Sequence, residues 1–332
     1  MSQPKIVMLQ GVHQINRVFA EKHLKQLRAL GELVMNEQAV NPTPERVQEL
    51  IQGADVVITS WGCPRLDASA LDLAPNLKLV VHAAGTVKGI VSPELWERDI
   101  QITSGACVIG QGVAETALGM TIASLKDMWR LSVVTKQGEW NKQNSKAREL
   151  YDITVGVIGA GHAGTHYIKL MQNFKVDVLL YDPYVSEEKA RAMGARKASL
   201  EELLTQADVV SIHAPGIPAT DKMINRDTLA LMKDDAILIN TSRGTVIDEE
   251  ALAEELAKGR LFACLDTTNP EPPRADHPFR RLPNLVMTPH IAGGVTNGLY
   301  ALAQFVVDET KAFLEGQSLS GQVEQAQMSI IA

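Results

Sequence analysis

Thiols are scarce in this chain. Of 332 residues only Cys63, Cys107 and Cys264 are cysteine. They are far apart and odd in number, which excludes a disulfide framework and shows no metal-ligand spacing. No metal site is expected, and a reducing, cytoplasmic compartment is. Positive charge is also short: 32 Lys and Arg stand against 39 Asp and Glu, for a net charge of −7. Nucleic-acid binding needs clustered basic residues, so no nucleic-acid partner is expected. A small anion is not excluded, because one buried arginine can bind a carboxylate whatever the global charge. No apolar stretch reaches the ~20 residues of a membrane span. The start, MSQPKIVML, lacks a charged region followed by a long apolar one, so neither a secretory leader nor a membrane partner is expected. Low-complexity tracts and short repeats are absent. What is present is a globular composition, 45% hydrophobic and 21% charged, in a chain long enough for two domains of about 100–200 residues each.

Short apolar runs alternate with helical patterns along the first third. Residues 5–9, 55–59 and 77–82 read as buried strands, and 16–30 and 44–51 as helices, with Thr43 placed to cap the second ahead of Pro44. Strand and helix taking turns implies a parallel sheet covered on both faces. Residues 112–134 form a long helical pattern without a breaker, expected to link two domains. The polar stretch 136–148 precedes a second series of strands at 154–158, 176–181, 209–213, 236–240, 262–265 and 285–288. Six such strands suit a complete Rossmann sheet. A last helix, 297–314, is expected to return to the first domain, and the polar tail after Val323 to be loosely held.

The strand ending at Ile158 runs straight into GAGHAG, with Gly159, Gly161 and Gly164 at dinucleotide-fingerprint spacing and a helix directly after. The first glycine permits a tight turn, the second lets a pyrophosphate approach the backbone, and the third lets the helix pack on the strand. Backbone donors of His162 and Ala163 at the helix N-terminus are the expected phosphate contacts. Asp182, in YDP, ends the next strand. A carboxylate there accepts from ribose hydroxyls and repels a 2′-phosphate, so NAD is expected over NADP. A glycine turn without a ligand would share the bare spacing; the strand, the helix and Asp182 make the difference.

Three further segments place chemistry at strand ends: INTSRGTVIDEEAL, CLDTTNPEP and TPHIAGG. Arg243, after the strand 236–240, can hold a carboxylate and an adjacent carbonyl through its fork of donors. His290 offers proton transfer near neutral pH. Glu271, between two prolines, can bond one imidazole nitrogen and set the tautomer. Asp266 points toward the same rim and toward a nicotinamide amide. The bland alternatives are a solvated arginine in a Gly turn, a structural histidine and solvated loop acids. His82, ending a first-domain strand, rivals His290, whereas His162, His166 and His213 read as structural or backbone contributors.

Together these motifs, with HAPGIPATDKMIN at His213, resemble the NAD-binding domain of the D-isomer-specific 2-hydroxyacid dehydrogenases over residues 140–294, about half the chain. The flanking segments resemble the family's substrate domain more weakly. The resemblance implies two doubly wound parallel-sheet α/β domains, with a Rossmann NAD-binding domain at 112–297 inserted in a flavodoxin-like substrate domain formed by 1–111 and 298–332. It implies Arg243, Glu271 and His290 as the catalytic set. Arg243 orients the carboxylate and carbonyl of a 2-keto acid, His290 is the acid/base and Glu271 tunes it. It carries cofactor roles onto His162, Ala163, Asp182, Thr241, Arg243, Asp266, His290 and Gly293, with Ala214 and Pro215 bordering the adenosine side. It also implies a homodimer built around 112–134, whose Met120, Met128 and Trp129 offer more apolar surface than a linker needs.

The chain departs from the family where specificity is set. The substrate loop, usually GxGxDNID-like, reads HAAGTVKGIV here, with one of its two glycines and with Lys88 in place of an acid. Ala84, Gly85 and Thr86 are expected to offer backbone donors to a carboxylate. Lys88 is either a second positive contact for a diacid or phosphorylated substrate, or a solvated lysine. Residues 104–115 lack the family's asparagine before VAE, and Trp61 either lines the site or fills core. The expected activity is reversible hydride transfer between NAD(H) and a small D-2-hydroxy acid, such as the products of glyoxylate or hydroxypyruvate. Phosphite-type dehydrogenases and NAD-responsive corepressors of the C-terminal-binding-protein type keep the same three residues and stay open as alternatives. Formate dehydrogenases resemble the pattern with glutamine at the position of Glu271. The lack of a long disordered extension favours a metabolic enzyme, and the lack of an appended regulatory domain weighs against a phosphoglycerate-type assignment.

Overall fold

Two parallel sheets organise the chain in a computed structural model that describes residues 3–140 and 146–331. Part of the polar stretch 136–148 thus lies outside the described residues. The strands are β1 Lys5–Met8, β2 Glu32–Met35, β3 Val56–Thr59, β4 Leu79–His82, β5 Gln101–Ser104, β6 Tyr151–Ile158, β7 Lys175–Tyr181, β8 Arg196–Lys197, β9 Val209–Ile212, β10 Ile237–Asn240, β11 Phe262–Leu265 and β12 Leu285–Met287. The first five pair in the order β2-β1-β3-β4-β5, the flavodoxin-like arrangement. The other seven pair as β12-β11-β10-β9-β6-β7-β8, the Rossmann order extended by β12; all six expected strands are present, and the unexpected one is the two-residue β8 at the opposite edge.

The chain divides into a unit of Met1–Ile109 with Gly294–Ala332 and a second unit of Gly110–Gly293. The first boundary falls inside the helix Ala106–Leu125, and the last helix, Asn297–Leu314, belongs to the first unit. Both sheets are covered on two faces, so their inner strands are almost wholly apolar. In β10, Leu238 joins one core cluster while Ile237 and Ile239 join the other. In β4, Val80 joins one and Leu79 and Val81 the other. This is the period-two alternation of a strand between two layers.

Several elements differ from expectation. The helix expected over 16–30 is two, Val12–Val18 and Glu21–Leu30, separated by Phe19 and Ala20 in extended conformation. The Ala20 N–H donates to Nδ1 of His23, which starts the second helix. The long pattern 112–134 is also two helices, Ala106–Leu125 and Met128–Lys136, broken where Asp127 adopts φ +53°. By length and composition Ala106–Leu125 is long and apolar enough to cross a membrane, which a search for uninterrupted apolar runs passes over because Gln111 and Glu115 divide it. In the fold its Ala114, Ala117, Met120 and Leu125 pack in the core of the second unit. The tail is anchored: Val323 is buried and Met328 and Ile331 pack on the first unit's core. Lys88 is neither solvated nor a free cation, since its Nζ donates to the Ile331 carbonyl at 2.6 Å. Trp61 packs against core residues, with the Arg17 guanidinium 5.2 Å from its ring centre.

Candidate active site

The switch point of the seven-stranded sheet lies between β6 and β9, where the strand order reverses and open α/β sheets bind ligands. Gly159 follows β6 at φ +90°, and a Cβ on it would stand 2.8 Å from the Ala214 nitrogen beyond β9. A Cβ on Gly164 would stand 2.0 Å from the Gly159 oxygen, so the third glycine lets the helix His162–Met171 lie on the strand. Nothing lies within 4 Å of a Cβ on Gly161, which leaves that face open. No side chain caps the helix, so its first backbone N–H groups, including those of His162 and Ala163, point at that opening. Burial, with His166 nearby, lowers the His162 pKa and favours its neutral form.

Asp182 sits at the end of β7, as a ribose ligand requires, and also ties the turn together. Its Oδ2 accepts from the Ala160 N–H and its Oδ1 from the Tyr184 N–H, both at 2.8 Å. Each oxygen keeps a second acceptor position for a hydroxyl. Ala214 is buried beside Gly159, and the Pro215 carbonyl accepts from Thr220 Oγ1. Thr241, at the end of β10, is 6% exposed, and its Oγ1 has no hydrogen-bond partner among the described residues. A buried hydroxyl without a partner is costly unless a ligand completes it. The open glycine, the uncapped helix and this hydroxyl fit a dinucleotide.

β10, β11 and β12 are neighbours, so the loops that follow them share one rim. Asn240 shapes the first loop: its Oδ1 accepts from the Ser242 N–H at 3.0 Å and its Nδ2 donates to the Arg243 carbonyl at 2.9 Å. The Arg243 side chain is half-buried and Nη1 donates to the Ser242 carbonyl at 2.8 Å. Gly244 then packs against the next loop, where its Cβ would stand 2.2 Å from the carbonyl carbon of Thr268. That loop carries Glu271 between cis Asn269–Pro270 and Glu271–Pro272 peptides. His290, at φ +52°, donates its backbone N–H to Asp266 O at 2.9 Å. Its Nδ1 lies 2.8 Å from Glu271 Oε2. With the carboxylate at Nδ1, Nε2 is the nitrogen left to exchange a proton.

Asp266, expected near the nicotinamide amide, also binds the protein around it. It is 2% exposed, and its carboxylate accepts from Thr288 Oγ1 at 2.5 Å and from the backbone N–H groups of Ile291 and Ala292 at 2.9 and 2.8 Å. It holds the His290 loop to β11. Gly293 lies beside Gly112, whose Cβ would stand 3.6 Å from the Gly293 Cα. A Cβ on Gly110 would be 3.0 Å from the Ala163 nitrogen. These two helical glycines went unnoticed in the sequence. Their signal was their placement inside a helix, where each costs about 1 kcal/mol relative to alanine.

In the first unit, Ala84, Gly85 and Thr86 follow β4 at the carboxyl edge of its sheet. The Gly85 carbonyl accepts from Ser104 Oγ, and no hydrogen bond from the backbone N–H groups of 84–86 is found among the described residues. His82, the rival to His290, is 3% exposed and bonded at Nδ1 to Thr59 Oγ1 at 2.8 Å. Burial depresses its pKa to about 4, so it is neutral where a proton donor must be charged. His213 is likewise buried, with Nε2 2.9 Å from Ser211 Oγ.

A Rossmann unit with these strand-end groups belongs to the nicotinamide-dependent class. Residues 104–292 match the family profile described as D-isomer specific 2-hydroxyacid dehydrogenase, NAD binding domain. The chain is 33% identical over 299 residues to a D-3-phosphoglycerate dehydrogenase of Methanocaldococcus jannaschii, covering 90% of this chain but 56% of that one. It therefore spans little more than half the length of that relative. It is 32% identical over 270 residues to a hydroxypyruvate reductase of Thermotoga maritima, covering 78% of this chain and 86% of the other. The fold matches a phosphoglycerate oxidoreductase from Rhizobium etli at a TM-score of 0.85, with 22% identity over 97% of this chain and 99% of that one. The chain belongs to the D-isomer specific 2-hydroxyacid dehydrogenase family, and its second unit is the family's NAD-binding domain.

Proposed function

We propose that the protein is an NAD-dependent oxidoreductase that interconverts a small D-2-hydroxy acid and its 2-keto acid. The observation that carries the reading is the 2.8 Å pairing of His290 Nδ1 with Glu271 Oε2 on the rim that also bears Arg243. Gly161, the N–H groups of His162 and Ala163, Asp182 and Thr241 would hold the cofactor. When bound, the nicotinamide supplies hydride chemistry at C2 of the substrate. Arg243 binds the carboxylate and the neighbouring carbonyl oxygen and stabilises the charge that develops there. In reduction, His290 donates the Nε2 proton to that oxygen, while Glu271 holds the imidazolium and its tautomer. In oxidation the same nitrogen takes the proton back. Among substrates, a hydroxypyruvate- or glyoxylate-sized keto acid is favoured by the similarity to a hydroxypyruvate reductase. The cofactor preference for NAD over NADP rests on the Asp182 carboxylate at the ribose position.

The deciding experiment is turnover of glyoxylate, hydroxypyruvate, pyruvate and longer 2-keto acids with NADH and NADPH, in the wild type and in His290→Ala. We expect one short keto acid to be reduced with NADH, and the variant to lose about 10²–10⁴-fold in kcat. Tight NADH binding without turnover of any keto acid would favour a cofactor-responsive binding module instead. A variant with near-normal kcat would remove His290 from the mechanism.

We further propose a cytoplasmic location, in keeping with three unpaired cysteines, and a homodimer, for which Met128, Trp129, Val133 and Trp140 supply exposed apolar surface in one stretch of chain.

A further inference from the structure

Glu249 begins the helix Glu249–Ala257, six residues beyond Arg243, where the sequence reads only as a helix start. Its side chain nevertheless turns inward and is 10% exposed. One carboxylate oxygen, Oε1, accepts from the backbone N–H of Asn269 at 2.7 Å. The other, Oε2, faces Nε2 of His277 at 3.7 Å. His277 is buried, and its Nδ1 accepts from the Phe279 N–H at 3.3 Å. A neutral ring that accepts at Nδ1 carries its proton on Nε2, the nitrogen nearer Glu249, and 3.7 Å is too long for a hydrogen bond between them. Burial lowers the His277 pKa, with Arg274 adding to the effect, which keeps that ring neutral.

Burial, with a smaller repulsion from Glu271, pushes the Glu249 carboxyl up to about 7 despite the bond from Asn269. An apolar residue of the same volume would avoid that cost. What the carboxylate does accomplish is local. Asn269 is two residues before Glu271, and the same loop is packed against Gly244 and closed within itself by Thr268 Oγ1 donating to the Pro270 carbonyl at 2.9 Å.

We propose that Glu249 is a positioning residue for the acid–base pair: its bond to the Asn269 N–H fixes the approach of the Glu271 carboxylate to His290 Nδ1. The role rests on the functional reading above, because it matters only if His290 moves a proton. It places the orientation of His290 under two contacts joined by the loop backbone: Glu249 with the Asn269 N–H, and Glu271 with His290 Nδ1.

The test compares Glu249→Gln, Glu249→Ala and Glu249→Met with Glu271→Ala and His290→Ala. Glutamine keeps an acceptor for Asn269, and methionine keeps the volume without one, which covers the case in which the alanine variant does not fold. The first readout is the imidazole ¹⁵N resonances of the cofactor-free protein above neutral pH, which report which ring nitrogen of His290 is protonated; His290→Ala assigns them. We expect the Nδ1–H form in the wild type and in Glu249→Gln, and a move toward the Nε2–H form in Glu249→Met and Glu249→Ala, as in Glu271→Ala. The second readout is kinetic: the Ala and Met variants should lose about 10–100-fold in kcat with KM for the keto acid within about twofold, the scale on which displaced supporting groups act. A wild-type tautomer in Glu249→Met, or a glutamine variant as deficient as methionine, would overturn the proposal. If His290→Ala itself turns over normally, the functional reading fails, and the tautomer readout still decides the role of Glu249.

Discussion

His82 and His213 stand at strand ends in the two sheets, and neither has room for a charge. Burial depresses their pKa values to about 4 and about 3, from an ordinary 6.5. Between those values and 6.5 the unfolded chain binds a proton that the folded one refuses. Stability therefore rises with pH up to about 6.5 and is lost as pH falls through this window, by about 1.4 kcal/mol per pH unit for each histidine. Urea unfolding measured from pH 4 to pH 6 should show this slope, and His213→Phe should flatten it by one proton's worth, whatever the absolute cost of the substitution. An unchanged slope would mean that His213 is protonated in the fold. His290 contrasts with both: its side chain is 51% exposed and its partner is a carboxylate. Exposure and partner, rather than residue type, separate the histidine proposed to transfer the proton from the two buried ones.

The turn from β6 into the helix His162–Met171 uses its glycines for two separable purposes. Gly164 is needed for packing, because a Cβ there would collide with the Gly159 backbone at 2.0 Å. Gly161 has no protein neighbour within 4 Å of a Cβ, so its smallness is of use only to a ligand. Gly164→Ala should both destabilise the fold by about 1–3 kcal/mol and weaken NADH binding. Gly161→Ala should leave thermal stability unchanged while weakening NADH at least tenfold, about 1.4 kcal/mol. Fluorescence titration with NADH alongside thermal unfolding separates the two. Equal affinity of Gly161→Ala and wild type would move the pyrophosphate away from this turn. At the same scale, the strands that escaped the sequence share one property: β2, β5 and β8 are all sheet edges. β2 reads ELVM with no fully buried residue and β8 has two residues, so neither carries the apolar run by which the inner strands announce themselves.

For the whole molecule, the proposed dimer is the assertion most open to measurement. Light scattering at micromolar concentration should return twice the 36.1 kDa chain mass. Trp129→Glu with Val133→Glu should shift the particle toward one chain if the exposed helix Met128–Lys136 lies in the interface. A wild-type monomer mass would refute the association. The discontinuous first unit has a plain physical basis: Leu299, Leu302, Ala303 and Val306 of the last helix fill the same core cluster as β1, β3 and β4. That unit is completed only when residues nearly 300 positions from its first strand have been added.

Local chemistry was legible in the amino-acid order. The glycine turn, the Thr43 cap, whose Oγ1 accepts from the Arg46 N–H, and the inner strands all follow from patterns a few residues long. Sterics, capping and side-chain periodicity act over that distance. Contacts between distant segments were decided by the tertiary structure: Glu271 against His290, Glu249 against Asn269, Asp266 beneath Ile291 and Ala292, and Lys88 on the Ile331 carbonyl. An acid in a sequence reads the same whether solvent or a backbone N–H will meet it. Only the packing of distant segments selects which carboxylate meets the histidine ring, which one meets the backbone of its loop and which one meets the Asn269 N–H.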